Sequence, residues 1–209
     1  MPNLTPSPET DLAPPTGTPR QNSKREAILQ GAMRVFSRSG YAGTSMDRVA
    51  AEAGVSKQTI YSHFQDKEGL FTAMMERVTI GRFQSVLTMD SQQGEPAILL
   101  ERFATEFLEK IVDEEYVGFL RLIIAESMKF PELAKLYGRT VVQRGRELMA
   151  DFFRKHPEFG FADEEAVAHI FIGSLVSYVL AQEIFYGKES FPLARDRLVK
   201  SLLGLLLSE

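Results

Sequence analysis

A short run of hydrogen-bond donors, residues 57–63 with the sequence KQTIYSH, holds the side chains of this chain best suited to chemistry with a partner. Its polar members carry ammonium, amide, hydroxyl and imidazole groups, and none of them is a carboxylate. Such a surface complements an anion that presents many acceptor oxygens. An ordinary helical corner is the competing interpretation.

Two short helices and a tight turn must hold this run in place. Apolar spacing predicts helices near residues 45–53 and 57–63, joined by residues 54–56, with a bracing helix over 23–39. A glycine is needed where the chain reverses, and Ser56 is suited to cap the second short helix. The pattern is typical of a helix-turn-helix, whose donor face fits the major groove of DNA.

The charge is unevenly distributed along the chain. The whole chain has 24 basic and 28 acidic residues and a net charge of −4. Residues 20–67 contain eight basic and four acidic residues, so this segment carries +4 and the remainder −8. A basic N-terminal module on an acidic chain suggests an anionic partner at one end only. A local fluctuation in charge is the alternative.

Composition excludes several classes of protein. The 209 residues include no cysteine, which removes disulfides, thiolate metal sites and thiol nucleophiles. No basic residue precedes Arg20, and no apolar run approaches the roughly 18 residues needed to span a bilayer. We therefore expect a cytoplasmic protein with no signal peptide and no membrane partner. Residues 1–22 hold six of the ten prolines, which predicts a disordered tail.

Helical periodicity continues to the end of the chain. Further helices are predicted from Asp66 onward and over 96–112, 115–129, 131–155, 163–186 and 192–207. No segment shows sustained strand alternation, so the predicted fold class is all-α. We expect a three-helix helix-turn-helix domain over residues 23–68, followed by a larger α-helical domain over 69–209 for ligand binding and dimerisation.

The segment GTSMDRVAAEAGVSKQTIYSHFQDKEGLF resembles the DNA-binding domain of the TetR family of bacterial transcriptional regulators. The resemblance covers about residues 22–80 and includes the hydroxyl pair Thr44-Ser45, the turn, the Thr-Ile-Tyr core and the Phe-x-x-Lys-Glu-x-Leu exit. The segment RLIIAESMKFPELAKLYG is similar to the AefR-like branch of the family's C-terminal domains. The resemblance implies a homodimeric transcriptional regulator that is not an enzyme and has no cofactor or metal.

The resemblance also implies roles for individual residues. Three side chains are expected to face bases, namely Lys57, Gln58 and Ser62. The positions that match phosphate contacts are Thr44, Thr59, Tyr61, His63 and Lys67, and Ser45 belongs to the same predicted DNA-binding set. Many members have glycine at the position of Gln58 and larger side chains at that of Ser62, so base preference does not transfer. The alternatives are that Tyr61 merely packs its ring, that His63 binds a metal, and that Lys67 merely begins a helix.

Aromatic and methionine side chains are dense in the central helices, where they form either a plain core or a ligand cavity. The resemblance favours a cavity for a small, largely apolar effector. Its predicted lining is Phe103, Phe107, Phe119, Ile123, Glu126, Tyr137, Phe171 and Tyr178. A carboxylate inside this apolar region must find a partner or shift its pKa. Glu126 is therefore expected to bind a polar group of the ligand or to pair with Arg121, Arg139 or Arg144.

The segment AVAHIFIGSLVSYVLAQEIF is apolar around its whole circumference, so it must be buried on several sides. Two helices from each of two subunits would form a four-helix interface with twofold symmetry. The predicted interface residues are Ile170, Gly173, Ser174, Ser177, Leu198, Leu202 and Leu205. Burial within one subunit is the alternative. A twofold dimer is expected to recognise a pseudo-palindromic operator in double-stranded DNA.

The leading functional hypothesis is a repressor that leaves its operator when the effector binds. Two other classes of function compete with this hypothesis. An enzyme centred on Glu165 and His169, one helical turn apart, is disfavoured by the scarcity of histidine and the absence of a phosphate-binding glycine loop. A dimeric interaction protein that does not bind DNA is the third class.

Overall fold

The computed structural model describes residues 19–89 and 95–207, and every regular element in these two ranges is helical. The all-α prediction is therefore confirmed. The α-helices are α1 (Pro19–Gly43), α2 (Met46–Ala53), α3 (Lys57–Phe64), α4 (Lys67–Val78), α5 (Ile80–Met89), α6 (Pro96–Glu106), α7 (Glu114–Ser127), α8 (Pro131–Tyr137), α9 (Arg144–Lys155), α10 (Glu164–Val179), α11 (Gly187–Ser190) and α12 (Arg195–Leu206).

Side-chain caps fix the starts of the short N-terminal helices. Ser45 caps α2 by accepting a hydrogen bond from the Arg48 N–H, and Ser56 caps α3 by accepting one from the Thr59 N–H at 3.2 Å. Asp66 caps α4 in the same way. Each cap satisfies a backbone donor that has no partner within its helix. The predicted short helices thus occur within a residue or two of their expected ends.

Two glycines give the chain its sharp turns. Gly54 ends α2 with φ 67° and ψ 32°, a left-handed conformation that starts the turn into α3. Gly40 kinks α1 with φ 67° and ψ 179°, a region that only glycine occupies readily. The predicted end of the first helix at Gly40 corresponds to this kink, after which one more turn continues to Gly43.

Some predicted boundaries were wrong. Helix α1 begins at Pro19, so residues 19–22 of the predicted tail are helical, while residues 1–18 lie outside the described ranges. Pro192 precedes the last helix instead of lying in its first turn, because α12 begins at Arg195. The break at Thr79, which separates α4 from α5, was not predicted.

The long C-terminal helices contain wider turns. Segments of π-helix follow α6 (Phe107–Ile111), join α8 to α9 (Gly138–Gln143), and follow α10 (Leu180–Ile184). The ranges 96–112, 131–155 and 163–186, each predicted as one continuous helix, are therefore helical but contain a π segment. The backbone hydrogen-bond pattern changes at that segment. Wider turns of this kind frequently accompany functional sites.

A single apolar core runs through both parts of the chain. Helix α1 packs against α2, α4 and α7, which joins the N-terminal helices to the larger domain. Farther along the chain, α10 packs against α9, and α12 packs against α6 and α10. Buried phenylalanines contribute the largest side chains of the core.

The helical path Glu164–Ile184 is 21 residues long, and an 18-residue window within it has a mean hydropathy of 1.5. By length and composition alone it is apolar enough to cross a membrane, so the expectation that no segment approaches this limit was wrong. A core helix of a soluble domain meets the same criterion. Here the path contacts α9, α12 and other helices of the larger domain.

Candidate nucleic-acid interface and apolar cavity

Helix α3 presents one apolar and one polar face. Ile60 and Phe64 are buried against the other N-terminal helices, as predicted. Lys57, Gln58 and Ser62 lie on the exposed face. The buried pair fixes the rotation of α3 about its axis. The predicted base-facing residues are thereby held together on a surface open to solvent.

Lys57 is restrained by a carboxylate from the preceding helix. Its ammonium nitrogen lies 2.9 Å from a carboxylate oxygen of Asp47 on α2, and both side chains are at least half exposed. The hydrogen bond and the charge of Asp47 raise the pKa of Lys57 above its ordinary value. An anion that approaches α3 therefore competes with Asp47 for this cation.

Tyr61 is the large apolar side chain of α3 that remains open to solvent, with 43% of its surface exposed. Within the described residues its phenol forms no hydrogen bond, an arrangement that fits both a phosphate contact and the alternative of a packed ring with a solvated hydroxyl. His63 is half-buried and its ring lies 5.9 Å from the Phe64 ring. Within the described residues, no group of three or more metal-binding side chains occurs.

Thr44 and Lys67 are built into the turn that follows the kink in α1. Thr44 is buried, and its hydroxyl donates to the Gly40 carbonyl oxygen at 2.7 Å. The half-buried Lys67 ammonium donates to the carbonyl oxygens of Tyr41 at 3.0 Å and Thr44 at 3.3 Å. Both residues therefore stabilise the turn in this structure. The sequence predicted phosphate contacts for both residues, with the start of a helix as the alternative for Lys67, and did not anticipate this role in the turn.

An apolar cavity of about 250 Å³ lies in the larger domain and is lined by residues of α5, α7, α8, α9 and α10 and of the π segments Phe107–Ile111 and Gly138–Gln143. Much of its wall is made of aliphatic and aromatic side chains, among them Ile80, Phe83, Ile111, Val141, Ile172 and Val176. The break at Thr79 between α4 and α5 also contributes to the wall. A cavity of this character is a candidate ligand site.

Only two of the eight residues predicted to line a pocket, Phe107 and Tyr137, line this cavity. Phe103, Phe119 and Phe171 are instead fully packed core side chains, and Ile123 is also buried in the core. Tyr178 lies in a separate groove, where its hydroxyl donates to the Leu193 carbonyl oxygen at 2.8 Å. The sequence alone identified the aromatic region, but it could not distinguish the side chains that line the cavity from those that are packed in the core.

Glu126 lies outside the cavity and forms no ion pair with Arg121, Arg139 or Arg144 among the described residues, so the expected pairing was wrong. Its carboxylate instead lies against Gly40, where a β-carbon added to the glycine would be 2.9 Å from Oε1. Arg121 is occupied elsewhere: it donates to the Glu183 carbonyl oxygen and lies 5.2 Å from the centre of the Tyr186 ring.

Four polar side chains line the cavity without hydrogen-bond partners among the described residues: Tyr116, Tyr137, Arg146 and His169. Tyr116 is buried, whereas Arg146 and His169 are exposed and so lie where the cavity opens. Burial raises the pKa of Tyr137 to about 12, and burial together with Tyr137 raises that of Tyr116 above its ordinary value. Both phenols therefore remain protonated donors. No sequence signal distinguished Tyr116 or Arg146.

A second groove follows α10 and α12, where the dimer interface was predicted. Ile170, Gly173, Ser174, Ser177 and Leu198 all line it. Leu202 is buried inside the chain, where it packs in the core, so its assignment to a surface was wrong. Leu205 is 78% exposed. His169 and Gly173 line both the groove and the cavity, which places α10 between the two.

A continuous chain of rings connects the cavity to the N-terminal helices. Tyr137 lies 6.2 Å from Phe119, which lies 6.1 Å from Phe71 on α4. Phe71 contacts Phe36 at 5.0 Å and Tyr41 at 5.2 Å, both on α1. Residues 65 and 66 alone separate α3 from α4, so the helix that carries Phe71 directly follows the helix with the exposed donor face.

The fold and this donor face define the class of the protein: it is a helix-turn-helix transcriptional regulator. Residues 28–74 match the family of bacterial regulatory proteins, tetR family, and residues 99–207 match the AefR-like transcriptional repressor, C-terminal domain. The second match alone covers about half of the chain. The chain belongs to the TetR family, whose members are transcriptional regulators and not enzymes.

Individual relatives agree with this assignment. The HTH-type transcriptional regulator AcrR of Shigella flexneri is 34% identical over 107 residues, which cover 51% of this chain and 50% of the relative. A TetR-family regulator from Mesorhizobium loti has 29% identity and a TM-score of 0.70, with 91% of this chain and 98% of that chain covered. The flavonoid-responsive regulator FrrA has 25% identity and a TM-score of 0.62, with 89% and 96% covered. The chain spans about half the length of the curated relatives it matches.

Proposed function

We propose that this protein is a homodimeric repressor that binds a pseudo-palindromic operator and is released by a small, largely apolar effector. The observation that carries the proposal is the exposed donor face of α3, held in place by its two buried apolar residues and by the Ser56 cap. A carboxylate-free row of donors is suited to phosphates and base edges. Operator binding is a property of the TetR family.

In the proposed complex, Lys57, Gln58 and Ser62 contact bases, while Ser45, Thr59, Tyr61 and His63 lie near phosphates. Thr44 and Lys67 support the turn beside this surface, and Lys67 has donor capacity left for a phosphate because an ammonium carries three N–H groups. One short helix makes few contacts, so two copies reading two half-sites supply the affinity.

Dimerisation is proposed through the groove and exposed apolar side chains of α10 and α12. The small residues Gly173, Ser174 and Ser177 permit close approach of a partner helix, and 52% of the Ile170 surface is exposed. An isologous four-helix interface would cover this surface on both copies. A DNA-free interaction protein would use the same dimer surface, but it gives no role to the exposed, carboxylate-free donor face of α3.

The effector is proposed to bind in the cavity and to act through α4. Thr79 and Ile80 form part of the cavity wall at the end of α4, and the ring chain reaches the same helix at Phe71. An effector that fits only one position of α4 shifts the population toward that position. The shift changes the spacing between the two α3 helices of the dimer and weakens operator binding.

A fluorescence anisotropy titration tests the proposal. The full chain is titrated against duplexes tiled across the region upstream of its own gene, with shuffled duplexes as controls. We expect one tile to bind selectively and with strong salt dependence. Tyr61→Ala should weaken binding to that tile, whereas Tyr186→Ala, an exposed tyrosine far along the chain, should not. Equal binding to tiles and shuffled controls would reject the proposal.

A further inference from the structure

The cavity combines an apolar body with polar groups of one kind only. Among the residues that the structure describes, its wall contains no aspartate or glutamate, although the chain as a whole is acidic. The polar side chains without partners are all able to donate hydrogen bonds: two phenols, one guanidinium and one imidazole. A ligand that satisfies them must supply acceptor oxygens.

The two kinds of donor lie at different depths. Tyr116 is buried and Tyr137 is largely so, whereas Arg146 and His169 are exposed. Neither phenol oxygen is among the inaccessible side-chain atoms without a partner in the described residues, so both hydroxyls are open to the cavity. A ligand oxygen placed beside the phenols uses donors that the protein itself leaves unpaired. A negative charge is better placed at the opening, where Arg146 neutralises it and water still solvates it.

Volume limits the size of the ligand. An apolar cavity of roughly 150 Å³ accommodates benzene, which has six non-hydrogen atoms. In proportion, the cavity of about 250 Å³ holds a molecule on the order of ten non-hydrogen atoms. One aromatic ring with a short side chain has this size, and the surrounding phenylalanine and aliphatic side chains suit such a body.

We infer that the effector is a small aromatic acid with oxygen at both ends: a carboxylate that Arg146 and His169 bind at the opening, and a hydroxyl or carbonyl oxygen that Tyr116 and Tyr137 bind inside. This inference rests on the proposed function of the cavity as the effector site. An amine of the same size lacks a carboxylate partner in the wall. A plain hydrocarbon leaves both phenols unpaired.

Three probes separate the two ends of the ligand. The acid 3-(4-hydroxyphenyl)propanoate carries both groups, its amide lacks the charge, and 3-phenylpropanoate lacks the inner oxygen. Isothermal titration calorimetry with the full chain measures each dissociation constant. We expect the acid to bind about tenfold more tightly than either analogue, as charge-assisted and buried hydrogen bonds allow.

Variants assign each preference to its residues. Arg146→Met should abolish the preference for acid over amide and leave amide binding unchanged. Arg139→Met removes the same charge from an exposed residue outside the cavity wall and should preserve the preference. Tyr116→Phe combined with Tyr137→Phe should abolish the advantage of the ring hydroxyl. These substitutions remove groups that have no hydrogen-bond partner within residues 19–89 and 95–207, so we expect the fold to be retained.

The outcomes are distinct. Equal binding of acid and amide, an acid preference that persists in Arg146→Met, or no binding of any probe at millimolar concentration would each overturn the inference. The operator titration is carried out separately, with and without the acid. If wild-type protein shows no selective operator binding when no probe is present, the proposed function is rejected. The calorimetry contains no DNA, so it tests the class of ligand independently of that result.

Discussion

The ammonium group of Lys67 lies 4.4 Å from the centre of the Tyr41 ring and also donates to the Tyr41 carbonyl oxygen at 3.0 Å. A residue at the start of α4 is thereby attached to the turn that follows α1. The contact joins α4, the helix that follows α3 in the chain, to the kinked end of α1. Lys67 therefore contributes to the stability of the N-terminal domain before any DNA is bound.

Replacing Lys67 by methionine should lower the free energy of unfolding by about 1–2 kcal/mol, because two hydrogen bonds to carbonyl oxygens and one cation–π contact are lost. Urea unfolding followed by circular dichroism measures the change. Lys135→Met removes an exposed lysine that pairs only with Glu132, and it should change stability by less than about 0.5 kcal/mol. Equal stability of the two variants would show that the Lys67 contacts are energetically neutral.

Gly40 and Gly54 should respond differently to the same substitution. Gly54 has left-handed φ and ψ with no atom within 4 Å of an added β-carbon, so Gly54→Asn should cost less than about 1 kcal/mol. Gly40 has ψ 179°, a conformation unfavourable for any other residue, and an added β-carbon would meet Glu126. Gly40→Asn should cost about 1–3 kcal/mol or more. Thermal unfolding compares the two, and a similar loss in both would contradict the explanation.

Asp47 should restrain DNA binding through its ion pair with Lys57. Asp47→Asn removes a carboxylate next to the donor face and frees the ammonium, so operator affinity should rise several-fold at low salt. Lys57→Met should instead weaken binding and leave the slope of log affinity against log salt nearly unchanged, because its ammonium is proposed to contact a base edge and not a phosphate. Anisotropy titrations at several salt concentrations provide both values. A slope reduced by about one would show that the ammonium contacts a phosphate instead.

Local signals explain why the N-terminal half was predictable. Caps at Ser56 and Asp66, a glycine at the turn and the buried pair Ile60 and Phe64 act within a few residues of each other, so a single sequence displays them. The start of α1 was not predicted, because Pro19 was assigned to the proline-rich tail that precedes it. Proline is compatible with the first turn of a helix, and here it begins one.

The cavity depends on contacts between distant segments and was predicted less well. Phe103 and Phe107 are one turn apart on the same helical path, yet only Phe107 lines the cavity while Phe103 is packed inside. The π segment that begins at Phe107 changes the register of the side chains from that residue on. No spacing rule for a regular helix anticipates that change. Likewise, Glu126 was expected near arginines of its own domain, but tertiary packing brings it to Gly40.

Stability should fall at alkaline pH through the buried tyrosines. Burial raises the pKa of Tyr137 to about 12 in the folded protein, whereas an unfolded tyrosine has a pKa of about 10. Between pH 10 and 12 the tyrosine loses its proton more readily in the unfolded state than in the folded state. The contribution of the protonated Tyr137 to the free energy of unfolding is therefore complete below about pH 10 and decreases as pH rises toward 12. Tyr137→Phe should make the fall less steep by up to about 1.4 kcal/mol per pH unit. Urea unfolding at pH 9, 10 and 11 measures it, and parallel curves for variant and wild type would contradict the assignment.

Ile170→Glu should convert the proposed dimer into monomers. The Ile170 side chain is 52% exposed on α10, so a carboxylate at this position is solvated in the isolated chain. In an isologous interface the same carboxylate would be buried without a partner, and the symmetry would bury one from each copy. Ile124→Glu is the matched control, because Ile124 is 48% exposed on α7, away from the α10–α12 groove. Sedimentation velocity at micromolar concentration should show a monomer only for Ile170→Glu. The same variant should lose operator affinity although its α3 is intact, because a single half-site contact remains. A dimeric Ile170→Glu protein, or a monomeric wild type that still binds its operator, would show that α10 does not form the interface.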